Sequence, residues 1–566
     1  MSGVTIKYFD GAYNAKQDFE INWGDKSDYC NPDLFMQDNF TAPRYDLLLE
    51  LNAFLLDGNA QFVDDDEPEN TQIAFLSSEM SDNNGDFAAP YILLFLDATT
   101  GETYDAPGLT VVFDVSKNVY ATEVIIAWEK NGVTVEQKTF YPDAPVYYFE
   151  RDSVSDYDSI GFMFKSINLP KTSLRVNSID HGKSITLGGA NLRNARMIQE
   201  INPVSLDLPT NTFDAEIETD GEIKPSENDA LEIYFNDRLL DLVFVKSAKQ
   251  KAENIWRISA EDYVGGMSDV VFAGGQYEAD SAVDVLQSIF ATANVPYEID
   301  DAFENAVVTG SLAQMSCRDA LMQVCFAIGA VADTTGRKNV AVFPLDDTIP
   351  DDPLPSSRIM IEQDAEDEKQ VSEVDIVVPT FVETNNEQTI FTAQNPADNG
   401  KTFIVNLSEP MYNFHTPTGL DSYIIFDASK TTAYTVVFSV DFTGYLGDSV
   451  DIIGKKYDIR NATYTKSNAA AKKQNVVSIE DAGLVSVDNV DDALDRVYNY
   501  YVGSRNVNTR IVDGRNDEPT AVGEIVEIPT KFGETFLGRI VKQSYGLNGG
   551  ILVKESVVRQ YVVPSE

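Results

Sequence analysis

The sequence predicts a mainly β protein of several domains with one α+β part, and three observations carry that assignment. Short β-branched and aromatic runs recur between polar turns from about residue 46 to 180. Two stripes of helical period stand among strand-like runs between about 196 and 345. The chain has 566 residues, which at roughly 150 per domain is enough for three or four domains.

Residues 1–45 read as an N-terminal arm. A β-sandwich is predicted over 46–190. Its runs include Leu47-Leu48-Leu49, Ile73–Leu76, Tyr91–Leu96, Leu109–Phe113, Glu123–Trp128 and Val133–Val135. Asn131-Gly132 joins the last two as a hairpin, because the primed turns of two-residue hairpins need positive φ and Asn-Gly supplies it cheaply. The stretch 196–345 opens with strands near 214–218, 230–235, 242–245 and 255–258. Two helices follow. Ser281 caps a stripe of Ala282, Val285, Leu286, Ile289 and Phe290. Ser316 caps a stripe of Cys317, Leu321, Val324, Cys325 and Ile328, with Asp319 near the capping-box position and Gly329 as the stop. A strand at Val340–Phe343 completes the α+β part. Residues 346–358 are rich in Pro and Asp and read as a linker. The remainder, 359–566, is β-rich, with one helix near 490–501 and a closing β-meander from about 510 to 563.

Charge prunes the functions. Asp plus Glu is 91 and Lys plus Arg is 42, a formal charge of −49. Specific nucleic-acid binding needs a basic stripe and is not expected, nor is docking on anionic lipid. The longest strongly apolar run, Tyr91–Leu96, falls far short of the about 20 residues a membrane span needs, so no membrane anchor is expected. The opening residues Met1–Asp10 show no basic stretch followed by an apolar core, so no secretory signal is expected.

No catalytic constellation stands out. GxSxG, HExxH and GxxxxGK[ST] are missing from the sequence. His181 and His415 are the only histidines and read as turn residues without a partner nucleophile. Three cysteines, Cys30, Cys317 and Cys325, make no disulfide framework. Cys317 and Cys325 lie about 12 Å apart along one helix and read as packing residues. Asp64-Asp65-Asp66-Glu67 reads as a solvated loop, since it lacks the glycine and distal Glu of a calcium loop. Asp82-Asn83-Asn84-Gly85-Asp86 reads as a turn, because Phe87 stands where that motif requires Gly. Paired carboxylates stay open, since 91 acids offer many pairs and the sequence does not say which are close. No catalytic residue, cofactor or metal is assigned, and the protein is expected not to be an enzyme.

Two stretches carry a family resemblance. Glu50–Gly58, Phe75–Asp82, Gly85–Pro90, Pro107–Phe113, Tyr157–Phe164 and Leu169–Gly182 resemble the discoidin-like (galactose-binding-like) sandwich of phage and prophage tail proteins. Glu200–Asn211, Ala282–Leu286, Asn294–Asp300, Val308–Leu312 and Ser316–Ala330 are similar to phage baseplate or tail-tip hub proteins. The Gly523–Thr530 meander matches that family more loosely. The resemblance implies a β-sandwich followed by hub-like β-barrel/α+β domains. It implies a structural virion component at the tail tip or baseplate, a homotrimer that closes the tail tube and anchors fibres or a spike. Its expected partners are its own copies, the tape measure, the tail tube or distal tail ring, and the fibres or spike. The alternative is a carbohydrate-binding adhesin for a host-surface glycan, with sugar in loops at one end of the sandwich. Asp57 and Asp86 lie in the candidate loops. A tail-associated cell-wall hydrolase is the third reading.

Overall fold

The computed structural model describes residues 4–10, 19–24, 75–89, 91–98, 103, 108–115, 117–151, 157–219, 224–235, 238–360, 363–428, 430–471, 473–512, 520–531, 533, 535–547 and 553–563. Its architecture is mainly β, with several separate sheets and few helices. The chain divides into two compact units. One comprises Met1–Arg193, Ala215–Ser259 and Asn548–Ile551, and the other Asn194–Asp214, Ala260–Leu547 and Leu552–Glu566.

In the first unit two antiparallel sheets share one apolar core. The first sheet orders Phe75–Met80, Ser173–His181, Gly108–Phe113 and Val146–Glu150. The second orders Phe19–Gly24, Ile92–Ala98, Ser159–Ile167, Ala121–Lys130 and Val133–Phe140. Alternation explains the packing: Val124, Ile126 and Trp128 of one sheet and Leu109, Val111 and Phe113 of the other are all buried in the same cluster. Each such side chain contributes about 1.5–3 kcal/mol by leaving water. The hairpin expected at Asn131-Gly132 forms, with φ of 51° and 72° at the two residues. Leu47–Leu49 and Cys30 lie outside the described residues.

The N-terminal arm reading differs from what is observed. Val4–Asp10 is a strand, hydrogen-bonded on one side to Lys183–Gly188 and on the other to Ala230–Phe235. Phe19–Gly24 pairs with Ile92–Ala98. Val4, Ile6 and Tyr8 are buried, and so is Lys7, whose Nζ lies 2.6 Å from Asp180. The Ser184 hydroxyl donates a further 3.1 Å bond to Asp180. Val4-Thr5-Ile6-Lys7-Tyr8 alternates as a strand does, but only over five residues, and the Lys7–Asp180 pair that lets its polar side be buried joins residues far apart in the sequence.

In the second unit the two capped helices form as read. They span Ala282–Ala293 and Cys317–Ile328 and end on left-handed Asn294 and Gly329. Their stripes meet in one core with Val308, Leu312, Val340 and Val342. Gly310 is held at φ 143°, and any Cβ there would run into the Gly483 carbonyl, to which the Ser311 N–H donates a 2.8 Å bond. Helix Val490–Val502 lays Val490, Ala493, Leu494 and Val497 on Val374, Ile376 and Val378.

Those last three residues begin a long ribbon. Glu373–Gln394 pairs antiparallel with Ser449–Ser467, about 70 Å of strand at 3.4 Å per residue. A second core closes its far end, where Ala393, Val450 and Ile452 pack against Val436, Phe438 and Val440 of a three-stranded sheet. The C-terminal meander consists of Ile525–Pro529, Thr535–Gly546 and Val553–Gln560, the last pairing with Arg505–Thr509. Residues 346–358, read as a linker, are tied to it: the Leu354 N–H donates 2.7 Å to the Glu527 carbonyl, and Arg539 grips Asp346 and Asp347.

Candidate functional site

The residues singled out in the sequence do not assemble into a site. Asp57 and Asp64–Glu67 lie outside the described residues. Asp86 sits in a turn organised by Asp82, whose carboxylate accepts the N–H groups of Asn84 at 2.7 Å and Asp86 at 3.0 Å. The backbone N–H of Asp86, then that of Asn84, hold the Asp82 carboxyl below its ordinary value. His181 ends the strand Ser173–His181. The Nδ1 of His415 is 2.8 Å from the Asn413 carbonyl and its Nε2 3.7 Å from Glu387. Cys317 and Cys325 are buried packing residues, and burial pushes the Cys325 thiol up to about 12. Among the described residues no group of three or more His, Cys, Asp or Glu is placed to hold a metal ion.

Sequence reasoning missed a cleft of about 350 Å³ in the second unit, lined by Arg496, Arg539 and Arg559. Tyr500, Tyr561, Asn499 and Gln560 add polar atoms, and Leu345, Val204, Val541 and Val562 supply apolar wall. Only Asp347 among the lining residues carries negative charge, the reverse of the balance of the whole chain.

Each guanidinium is fixed from behind. The Nη2 of Arg496 donates a 2.7 Å bond to the Phe326 carbonyl near the end of its helix. Gly329 is pressed against this group: a Cβ there would lie 3.1 Å from its carbon, so the residue that stops the helix also makes room for the arginine. Arg539 donates to the carbonyls of Asp346 and Gly523 and to the Asp347 carboxylate, and lies 5.4 Å from the Tyr561 ring centre. The Nη1 of Arg559 bonds both oxygens of Glu368 at 3.0 and 3.1 Å, and its guanidinium stacks 4.2 Å from the Tyr500 ring centre. Arg559 is 6 % exposed, and its Nη2 has no hydrogen-bond partner.

The electrostatics agree with this geometry. Burial draws Arg496 and Arg539 below their ordinary value, opposed by Asp492 and Asp347 respectively. Burial alone would raise Glu368, but the bonds and charge of Arg559 outweigh it and hold the carboxyl below its usual range. Burial raises Tyr500 and Tyr561. Arginine does not release its proton in a protein, so these three side chains offer charge and N–H donors rather than proton transfer. No spacing motif announces them. The available signal was a cation inside an otherwise apolar run, Leu537-Gly-Arg539-Ile540 and Val557-Val558-Arg559.

No family model matches this chain, and no curated protein is similar to it in sequence. Solved structures with a partly similar path include a tail protein from Neisseria meningitidis, at 10 % identity and a TM-score of 0.43, covering 67 % of this chain and 94 % of that one. A 43 kDa prophage tail protein from Shewanella oneidensis gives 8 % identity and a TM-score of 0.42, over 67 % of this chain and 95 % of that one. A prophage tail protein from Listeria monocytogenes gives 8 % identity and 0.38, over 67 % and 91 %.

Proposed function

We propose that the chain is a structural component of a phage tail, acting as the hub of the tail tip or baseplate. On this reading it assembles as a closed homotrimer, closes the tube and anchors fibres or a spike. The observation that carries the reading is the use made of the residues that resemble hub proteins. They are bound to one another, and most of their apolar side chains enter one core. The Nε of Arg318 donates 2.9 Å to the Leu208 carbonyl, and Ser205 donates 2.7 Å to the Ala330 carbonyl. Ser281 and Ser316 cap the two helices. Asn211 bonds Thr334 and Thr335 at 3.1 and 3.2 Å. Side chains spent in this way build a scaffold, and a scaffold is what a hub supplies.

Light scattering on the purified chain at micromolar concentration tests the assembly. The expected result is one species at three times the 62.6 kDa chain mass, as closed symmetry requires. A monomer would overturn the hub reading. The same reading holds that the protein hydrolyses neither peptidoglycan nor glycan. A zymogram should stay uncleared, and clearing that is lost on a single Asp or Glu substitution would show an enzyme instead.

A further inference from the structure

We propose that the arginine cleft is a binding site for a carboxylate carried beside an apolar group. Three observations support it, and none depends on the hub reading. First, the Nη2 of Arg559 is buried without an acceptor. Tyr500 covers the face of the guanidinium, Glu368 takes Nη1 and the Tyr500 carbonyl accepts from Nε at 3.4 Å, so Nη2 alone is left unmet. A buried donor in that state is costly, and a ligand oxygen removes the cost. Second, Asp347 contacts Arg539 and Glu368 contacts Arg559, whereas Arg496 contacts no carboxylate among the described residues. One guanidinium is therefore left for a ligand, which suits a single negative charge. A dianionic phosphate would bring an excess beside Asp347. The guanidinium fork matches the two oxygens of a carboxylate. Third, about 350 Å³ with Leu345 and Val562 in its wall holds a side chain of leucine size next to that carboxylate.

Isothermal titration of the full chain tests this with N-acetyl-L-leucine, its neutral amide and inorganic phosphate. The expected result is that the acid binds at least ~10-fold more tightly than the amide and more tightly than phosphate. Gln560→Glu places a negative charge on an exposed lining residue with little risk to the fold, and should weaken the acid about 10-fold. Arg496→Gln should weaken it as much or more. Equal binding of acid and amide, preference for phosphate, no binding of the acid, or an unchanged affinity in Gln560→Glu would each overturn the proposal. The peptide N-acetyl-Leu-Asp-Leu-amide identifies the source. If it binds more tightly than N-acetyl-L-leucine, the carboxylate comes from a side chain of a polypeptide partner. If it binds less tightly, the source is a free acid or a chain terminus.

Discussion

Leu321→Asp is expected to abolish folding of the second unit, and Val324→Asp to do the same. Both side chains are fully buried on the Ser316-capped helix, against Leu286, Ile289 and Leu312. Loss of the leucine contacts costs about 2–5 kcal/mol. The unpaired carboxylate adds several more, because it must either stay desolvated or take up a proton. The total is comparable with the roughly 5–15 kcal/mol that holds a domain together. Leu321→Met is the control and should cost under about 1.5 kcal/mol. The readouts are soluble yield and thermal unfolding. Soluble Leu321→Asp protein with the wild-type transition would mean that this helix packs against no core.

Asp262→Ala is expected to be the second most damaging change. Asp262 is 2 % exposed and accepts three bonds: from the Gly265 N–H at 2.9 Å, the Asn211 N–H at 3.1 Å and the Thr334 hydroxyl at 2.7 Å. Truncation strands these donors, at about 1–3 kcal/mol for each that finds no other acceptor. The effect should depend on pH. Burial raises the Asp262 carboxyl to about 6, against the opposing bonds from Gly265, Thr334 and Asn211. An acid raised on folding holds its proton more tightly in the native state, so its contribution to stability is greatest below the unfolded value and falls as pH rises towards 6. The gap between wild type and Asp262→Ala should therefore be about 1 kcal/mol larger at pH 5 than at pH 7. Denaturant unfolding at both values measures it. A gap that widens with rising pH would mean that the carboxyl is not raised by burial.

What was legible in the sequence was local chemistry. Ser281, Ser316 and Gly329 marked helix ends because capping is settled within four residues, and Asn131-Gly132 marked a hairpin because the two turn residues decide it. The apolar stripes gave the core faces of both helices. The illegible parts depend on partners distant in the chain. Val4–Asp10 is a strand because Ala230–Phe235 lies beside it, and Lys7 is tolerated because Asp180 meets it. Residues 346–358 lack any period, yet Arg539 and Glu527 hold them from nearly two hundred residues downstream. The cleft is the extreme case. Its three arginines come from a helix and two strands, and neither composition nor spacing reports that they converge.

The ribbon Glu373–Gln394 with Ser449–Ser467 makes its far end a cassette. No residue from Pro379 to Thr389 is buried, so this stretch of the strand joins two cores without belonging to either. Antiparallel pairing keeps the two strands opposite each other from Glu373 to Glu383, as at Phe381 and Ile459, and the register shifts between Glu383 and Glu387 and between Thr389 and Phe391. The chain can thus be cut and rejoined at a rung of the regular stretch, with a tight turn in place of everything beyond it. In the distal core Phe391 of the ribbon meets Phe403 and Phe438 of the three-stranded sheet. A head grafted across these two strands must also replace two bonds to the base, from the Ser311 hydroxyl to the Tyr434 hydroxyl at 2.9 Å and from the Thr432 hydroxyl to the Ala273 carbonyl at 3.4 Å.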